Sequence, residues 1–234
     1  MNNDFLKNNI IAHRGIYDNE KVIENTLEAF KKAIKKGYII ELDLHLTKDN
    51  EVIVFHDDKL DRLTKSKGYI KNRNYKDLKN IKLLNTNSYI PTFDEVLSLV
   101  NGKVPLLIEL KDDRKGFKLE KEVIKKLDNY NGLFAIQSFR PSTIIYFRIF
   151  RNKFIRGLLI SKNYNLKYHS LRMINICKPD FINVNKNLLN NKIIKKFKGI
   201  KITYLVDKNE KMLYSDKCDN MICNIWFTNH IFLL

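Results

Sequence analysis

Short apolar runs alternate along this chain with segments in which apolar residues recur at helical spacing. Eight of the runs predict strands, at residues 10–12, 39–46, 104–110, 133–137, 154–160, 180–184, 201–206 and 220–223. The segments between them predict helices, two of them with capping signals and five more near residues 119–127, 141–150, 166–177, 188–197 and 208–215. Eight alternating units of this kind predict an α/β fold, a TIM (β/α)8 barrel.

Two helix starts can be assigned to particular residues. Asn25 followed by Glu28 predicts the cap of the first helix, which Gly37 would end. Thr92 followed by Glu95 predicts a capping box at the start of the helix before the third strand.

Residues 57–90 lack a regular apolar period and are mostly polar, so they predict an insertion after the second strand. The insertion begins at the end of a strand, where barrel enzymes place their chemistry, and we expect it to form one wall of a pocket. The 234 residues are otherwise enough for one barrel, so a single domain over residues 1–234 is expected.

Composition adds expectations about location and partners. No run approaches the roughly 18 apolar residues of a membrane span, and residues 1–9 lack a signal-peptide core, which favours a cytoplasmic protein. Three cysteines without a C-x-x-C spacing indicate ordinary reduced thiols. The net charge of +17 is spread along the chain, which predicts a solvated basic surface and no specific nucleic-acid site. The alternative is weak peripheral association with an anionic membrane surface.

Carboxylates occupy one face of two predicted strands. In residues 39–46 the side chains of Glu41, Asp43 and His45 alternate with apolar ones, and Glu109 and Lys111 follow the same pattern on the third strand. Clustered carboxylates repel one another unless a proton or a cation neutralises them. An all-oxygen site suits one divalent cation, Ca²⁺ or Mg²⁺. The alternative is a set of interior ion pairs that only stabilise the barrel.

Two histidines lie at predicted strand ends. His13 precedes Arg14 just after the first strand, and His56 follows the extended run 52–55. Imidazole titrates near neutrality, so one histidine can remove a proton from a nucleophile while the other protonates a leaving group.

These residues stand in runs that resemble the signature of the glycerophosphodiester phosphodiesterase family in both order and spacing. The runs are His13-Arg14-Gly15, Glu24-Asn25-Thr26, Glu41-Leu42-Asp43-Leu44, Val54-Phe55-His56-Asp57-Asp58, Leu60-Asp61-Arg62, Ile90-Pro91-Thr92-Phe93-Asp94-Glu95-Val96, Ile108-Glu109-Leu110-Lys111 and Ser138-Phe139. The likeness weakens after about residue 140.

The resemblance implies a TIM barrel with an insertion after the second strand and a role for each matching residue. It implies Glu41, Asp43 and Glu109 as metal ligands, His13 and His56 as general base and acid, and Arg14 and Lys111 as phosphate contacts, with Glu24 supporting Arg14. The chain departs from the family in three places, each named by its residue here. Tyr204 replaces the usual tryptophan as a substrate wall, Ile23 replaces a proline, and the last strand ends in Asn224 where the family usually has an aspartate.

The expected function is hydrolysis of a small-molecule glycerophosphodiester, such as glycerophosphocholine or glycerophosphoethanolamine, to glycerol 3-phosphate and an alcohol. Two alternatives stay open at this point. One is a phosphodiesterase of the lysophospholipase D type acting on lysophospholipids, and the other is a non-catalytic barrel that binds polyanions.

Overall fold

Eight parallel strands close into a barrel in the structure, a computed structural model that describes residues 3–111, 116–162, 169–206 and 211–226. Within these ranges the strands are β1 (Ile11–Tyr17), β2 (Ile39–Leu46), β3 (Val52–Val54), β4 (Leu106–Leu110), β5 (Phe134–Ser138), β6 (Ile155–Ile160), β7 (Phe181–Asn185), β8 (Ile200–Val206) and β9 (Asn220–Trp226). The barrel is closed because β1 pairs in parallel with both β2 and β9. β3 is antiparallel to β2 and lies outside the barrel. The predicted TIM barrel is confirmed.

Helices cover the outside of the barrel in the expected alternation. They are α1 (Phe5–Asn8), α2 (Leu27–Lys35), α3 (Tyr75–Leu78), α4 (Phe93–Val100), α5 (Lys118–Leu127), α6 (Pro141–Phe150), α7 (His169–Cys177), α8 (Lys192–Lys196) and α9 (Lys211–Tyr214). The helix predicted at 188–197 is shorter and follows a 3-10 turn, Lys186–Leu188. Parts of the helices predicted at 166–177 and 208–215 lie outside the described residues.

The predicted capping box of α4 is present, since the Thr92 side chain accepts from the Glu95 amide and the Glu95 side chain accepts from the Thr92 amide. The predicted cap of α2 is wrong by one residue. Thr26 is the N-cap, whereas Asn25 has a left-handed backbone (φ 57°) instead of the extended one that caps adopt. The side chain of Asn25 turns into the barrel.

One layer of apolar side chains fills the barrel interior near the amino ends of the strands. Every barrel strand contributes to it, through Ile11, Ile39, Leu107, Ala135, Ile155, Phe181, Ile200, Ile202 and Ile222. Leu6 of α1 packs against this layer and is fully buried. A larger apolar cluster lies between the strands and the helices, so β2 is buried on both faces. This packing holds the strand ends rigidly in place.

The insertion follows β3, as predicted, but it contains more buried apolar residues than its polar sequence indicated. Leu60, Leu63, Ile70, Leu78 and Leu83 are buried and form a small apolar cluster with Ile23, Ile53, Phe55 and Ile90. The segment contains a 3-10 turn, Ile70–Asn72, and α3. Apolar residues spaced without a helical or strand period build this cluster, which is why periodicity did not reveal it.

Among the residues that the structure describes, no helix is both long enough and apolar enough to cross a membrane.

Candidate active site

A second layer, polar except at Gly157, follows the apolar layer inside the barrel on the side of the carboxyl ends of the strands. It is formed by the residue two positions beyond the apolar one on each strand, and these residues are His13, Glu41, Glu109, Gln137, Gly157, Asn183, Tyr204 and Asn224. Because side chains alternate along a strand, these positions share the inward face. Six of them line one cavity of about 140 Å³. The cavity therefore opens at the carboxyl ends of the strands, where barrel enzymes carry their active sites.

Three carboxylates converge at this end of the barrel. Oxygen atoms of Glu41, Asp43 and Glu109 all lie within 4.8 Å of one another, and the three side chains are buried. Register explains the convergence, since Asp43 on β2 is directly opposite Glu109 on β4. The predicted grouping of these three residues is thus present.

Burial and mutual repulsion set the charge state of the three groups. Burial, with the charges of Asp43 and Glu109, raises the pKa of Glu41 well above its usual range. Burial also raises the pKa of Glu109 to about 7, against the opposing charge of Lys111. Burial disfavours ionised Asp43 too, but Lys111 and Arg14 outweigh it, and the pKa of Asp43 is lowered. The site therefore needs positive charge to hold three ionised carboxylates.

Two cationic side chains supply part of that charge. Lys111 Nζ lies 2.6 Å from Glu109 Oε1 and 3.1 Å from Asp43 Oδ1, and Arg14 Nε lies 3.3 Å from Asp43 Oδ2. Arg14 reaches this position through a bulge in β1, where its backbone is left-handed and Gly15 follows with φ 85°. A Cβ on Gly15 would lie 2.9 Å from Ala29, so the bulge requires glycine.

The residues present fit a divalent cation. Asp43 Oδ1 and Glu109 Oε1 are buried and lack a hydrogen bond of acceptable geometry from any described group, although Lys111 is within ion-pair distance of both. Carboxylate oxygens of this kind are the ligands that Ca²⁺ and Mg²⁺ prefer. Asn25 donates to Asp43 Oδ2 at 2.9 Å and orients this carboxylate.

Each histidine is oriented through one ring nitrogen. His13 Nδ1 donates to Asn224 Oδ1 at 2.6 Å, and His56 Nδ1 donates to Asp57 Oδ1 at 2.6 Å. In both rings Nε2 is then the nitrogen free to accept a proton, and both residues line the cavity. Burial lowers the pKa of His13 to about 4 and also lowers that of His56. Both imidazoles are therefore neutral near pH 7.

An ionic network connects the insertion to both sides of the site. Arg62 donates to Glu24 Oε1 at 2.7 Å and to Asp57 Oδ2 at 2.6 Å. Glu24 also accepts from Arg14 Nη1 at 2.7 Å, as expected for a residue supporting Arg14. The two carboxylates thus join Arg62 to Arg14 on one side and to His56 on the other.

The opposite wall of the cavity is apolar. Phe139, Leu159 and Tyr204 line it, and the rings of Phe139 and Tyr204 meet edge to face with centroids 6.1 Å apart. Ile222 of the apolar layer also borders the cavity. None of the described residues of segment 57–90 lines this cavity. The prediction that the insertion forms a wall of the pocket is therefore wrong for these residues, because the insertion packs behind His56 and Glu24 and acts through Asp57 and Arg62.

Sequence reasoning left several of these residues without a role. Gln137, Asn183 and Asn224 occupy the inward position two residues after an apolar layer residue, and that spacing could have identified them. Asn25 and Arg62 stood in the recognised motifs, but their contacts depend on the loops. His45, the third polar residue of β2, is buried, and its Nε2 lies 3.1 Å from the His56 backbone oxygen.

Comparisons with known proteins agree with this geometry. The sequence model of the Glycerophosphoryl diester phosphodiesterase family matches residues 13–231. YhdW of Bacillus subtilis, whose name assigns it to the glycerophosphodiester phosphodiesterases, is 36% identical over 151 residues, which is 59% of this chain and 60% of that protein. The glycerophosphodiester phosphodiesterase of Caldanaerobacter subterraneus subsp. tengcongensis is 36% identical over 135 residues, 54% of this chain and 55% of that protein. The chain thus matches little more than half the length of these relatives.

A solved structure supports the fold over nearly the whole chain. The Oleispira antarctica phosphodiesterase in complex with the product sn-glycerol-3-phosphate superposes with a TM-score of 0.81 at 19% identity, covering 93% of each chain. At that identity the likeness concerns the fold. The family match covers most of the sequence and includes every site residue described above, and the chain belongs to the glycerophosphoryl diester phosphodiesterase family.

Proposed function

We propose that this chain hydrolyses glycerophosphodiesters, such as glycerophosphocholine or glycerophosphoethanolamine, to glycerol 3-phosphate and an alcohol. The observation that carries the proposal is a single cavity lined by two cations, two histidines and two carboxylates, Glu41 and Glu109, which cluster with the buried Asp43. A phosphodiester is an anion whose hydrolysis requires charge stabilisation at phosphorus and two proton transfers. Each requirement has its own residues in this cavity.

Glu41, Asp43 and Glu109 are the residues that would hold a divalent cation, Ca²⁺ or Mg²⁺. When bound, such a cation supplies Lewis-acid stabilisation of charge on the phosphoryl oxygens. The carboxylates also keep Arg14 and Lys111 ionised and directed into the cavity, since burial lowers the pKa of Lys111 less than the charges of Asp43 and Glu109 raise it. Arg14 and Lys111 then contact the non-bridging oxygens of the phosphate.

The two histidines perform the proton transfers. Both rings are oriented through Nδ1, so Nε2 of one accepts the proton of the attacking hydroxyl, which belongs to the substrate glycerol or to water. The new oxygen–phosphorus bond forms as the bond to the leaving alcohol breaks. The other ring takes up a proton from water on Nε2 before this step and then gives that proton to the departing oxygen. Asn224 and Asp57 accept from the Nδ1–H groups and hold both rings in orientation throughout.

The apolar wall contacts the carbon atoms of the substrate. Tyr204 is the substrate contact of this wall, and its hydroxyl donates to the Ile160 backbone oxygen at 3.1 Å, which fixes the ring. The cavity measures about 140 Å³, below the roughly 300–1,000 Å³ of most ligand pockets. An acyl chain needs a longer apolar groove than one of this volume.

A panel assay tests the proposal. Release of the free alcohol, choline or ethanolamine, is measured from glycerophosphocholine, glycerophosphoethanolamine and lysophosphatidylcholine, with chelator and with Ca²⁺ or Mg²⁺ added back, and glycerol 3-phosphate is assayed as the second product of the two soluble diesters. We expect metal-dependent cleavage of the soluble diesters and loss of activity in Glu41→Gln. Glu122→Gln is the matched control, because Glu122 lies on α5 and pairs with Lys125 far from the cavity.

Preference for lysophosphatidylcholine would replace this proposal with the lysophospholipase D alternative, and full activity without metal would remove the cation from it. The net charge of +17 also supports weak association with anionic membranes. Sedimentation with phosphatidylserine vesicles at low salt, lost at high salt, is the expected result.

A further inference from the structure

A chain of two amides crosses the barrel from the carboxylate cluster to the apolar wall. Gln137 Nε2 donates to Glu41 Oε1 at 3.4 Å, and Asn183 Nδ2 donates to Gln137 Oε1 at 2.9 Å. Gln137 lies on β5 and Asn183 on β7, four strands around the barrel from Glu41 on β2. All three side chains are buried.

The two hydrogen bonds run in one direction. Gln137 presents its NH₂ group to Glu41 and its oxygen to Asn183, and Asn183 presents its own NH₂ group to Gln137. Asn183 Oδ1 is therefore the amide atom that neither hydrogen bond uses.

Asn183 Oδ1 has no hydrogen-bond partner among the described residues, although Asn183 is 0% exposed and lines the cavity. A buried amide oxygen left without a donor is unfavourable, and a ligand that supplies a donor recovers that energy. Gln137 has both of its polar groups occupied. Asn183 Oδ1 is thus the acceptor that this wall of the cavity offers to a ligand.

We propose that Asn183 Oδ1 accepts a hydrogen bond from the glycerol hydroxyl remote from the phosphate. This inference rests on the proposed function. Of the phosphate contacts, Arg14 lies on β1 and Lys111 directly follows β4, whereas Asn183 lies across the barrel on β7, next to Leu159, and lines the same cavity as Tyr204. The end of the substrate glycerol farthest from phosphorus therefore reaches Asn183. The apolar neighbours accept its carbon atoms, and Asn183 requires that this end carry a hydroxyl.

The substrate pair that tests this inference differs by one hydroxyl. Glycerophosphocholine is compared with its analogue that lacks the terminal glycerol hydroxyl and keeps the one next to the phosphate. Leaving a buried acceptor unpaired costs about a ten- to hundredfold in kcat/KM. The wild-type protein should prefer glycerophosphocholine over the analogue by about this factor.

An isosteric pair of variants assigns the preference to Asn183. Asn183→Val removes the acceptor, and Asn183→Thr restores a hydroxyl in nearly the same shape. We expect Asn183→Val to cleave both substrates with nearly equal kcat/KM and Asn183→Thr to keep part of the preference. The ratio is measured on one preparation, so a partly unfolded variant does not distort it. Thr203→Val is the control, because Thr203 is equally buried on the neighbouring strand but donates to the Val184 backbone oxygen.

A preference that persists unchanged in Asn183→Val would overturn the inference, and so would its absence in the wild-type protein. Calorimetric binding of glycerol 3-phosphate and of its analogue without the terminal hydroxyl gives the same comparison without turnover. Hydrolysis without hydroxyl discrimination would refute the role of Asn183 alone. If no glycerophosphodiester is cleaved and glycerol 3-phosphate does not bind, the proposed function fails as well.

Discussion

Replacing Arg62 by methionine tests whether the insertion positions the catalytic groups. The substitution keeps an aliphatic side chain of similar reach and removes the guanidinium. Four hydrogen bonds are lost, two to Glu24 at 2.7 and 3.0 Å and two to Asp57 at 2.6 and 3.0 Å. Glu24 keeps its bonds from Arg14 and Asn19, and Asp57 keeps only His56 among these partners.

The expected loss of stability lies between two limits. Removing one partner of a fully buried ion pair costs about 3–5 kcal/mol, whereas an exposed pair contributes at most about 1 kcal/mol. Glu24 is 2% exposed but Arg62 is 43% exposed, so water screens part of the interaction. We therefore expect Arg62→Met to lower the free energy of unfolding by about 2 kcal/mol. Misplacement of His56 by a mobile Asp57 should also lower kcat by up to about 100-fold.

Urea unfolding and steady-state kinetics measure the two effects. Arg73→Met is the matched control, since Arg73 is exposed in the same insertion and its side chain donates only to the Lys67 backbone oxygen among the described groups. Added guanidinium ion at low concentration should restore part of the activity of Arg62→Ala and none of that of His56→Ala. Such rescue requires a positioning role, because general destabilisation is not relieved by guanidinium.

The pH dependence of stability tests the ion pairs of Glu24 independently. Burial alone would raise the pKa of Glu24, but the bonds and charges of Arg62 and Arg14 lower it to about 2. A lowered carboxylate pKa contributes stability above the ordinary value of 4.5, and this contribution is lost as the pH falls toward about 2. The difference between wild type and Arg62→Met should therefore shrink below about pH 4. A variant within about 0.5 kcal/mol of wild type with unchanged kcat would refute the positioning role.

Three further predictions concern the cation, the histidines and the apolar wall. Ca²⁺ or Mg²⁺ should raise the Tm of the wild-type protein and leave that of Asp43→Asn unchanged, whereas equal shifts in both would remove Asp43 from the ligand set. His13→Ala and His56→Ala should each lose about 10²- to 10⁴-fold in kcat while remaining folded by circular dichroism. A thiol leaving group should rescue only the variant that lacks the general acid, and wild-type turnover in either variant would exclude its role. Tyr204→Ala should change headgroup or glycerol preference, measured as ratios of kcat/KM, more than it changes metal affinity measured by calorimetry.

Sequence determined the barrel because the barrel follows from local patterns. Each strand carries an inward apolar residue and each helix an apolar stripe, and these periods are readable without knowing any contact. The same alternation placed Glu41 and Asp43 on one face of β2 and Glu109 on the matching face of β4. Since β2 and β4 are neighbouring strands and both turn these residues toward the barrel interior, the approach of the carboxylates could be inferred from the chain alone.

The partners of the catalytic groups were decided by tertiary structure. Asn224 and His13 are 211 residues apart in sequence and meet only because β9 closes the barrel against β1. Arg62 lies in a segment without periodicity, and its contacts with Glu24 and Asp57 depend on how the insertion packs. Asn25 has a left-handed backbone, so that Thr26 is the helix cap, and its side chain donates to Asp43 on β2.

The physical reason for this division is the range of the interactions. A strand or helix buries its apolar surface on one face, so apolar residues recur in the sequence at the period of that element. A hydrogen bond depends on the distance and angle between two atoms to within a few tenths of an ångström. Those quantities follow from barrel closure and loop packing, so the sequence specified the chemical groups of the site and the tertiary structure specified their partners.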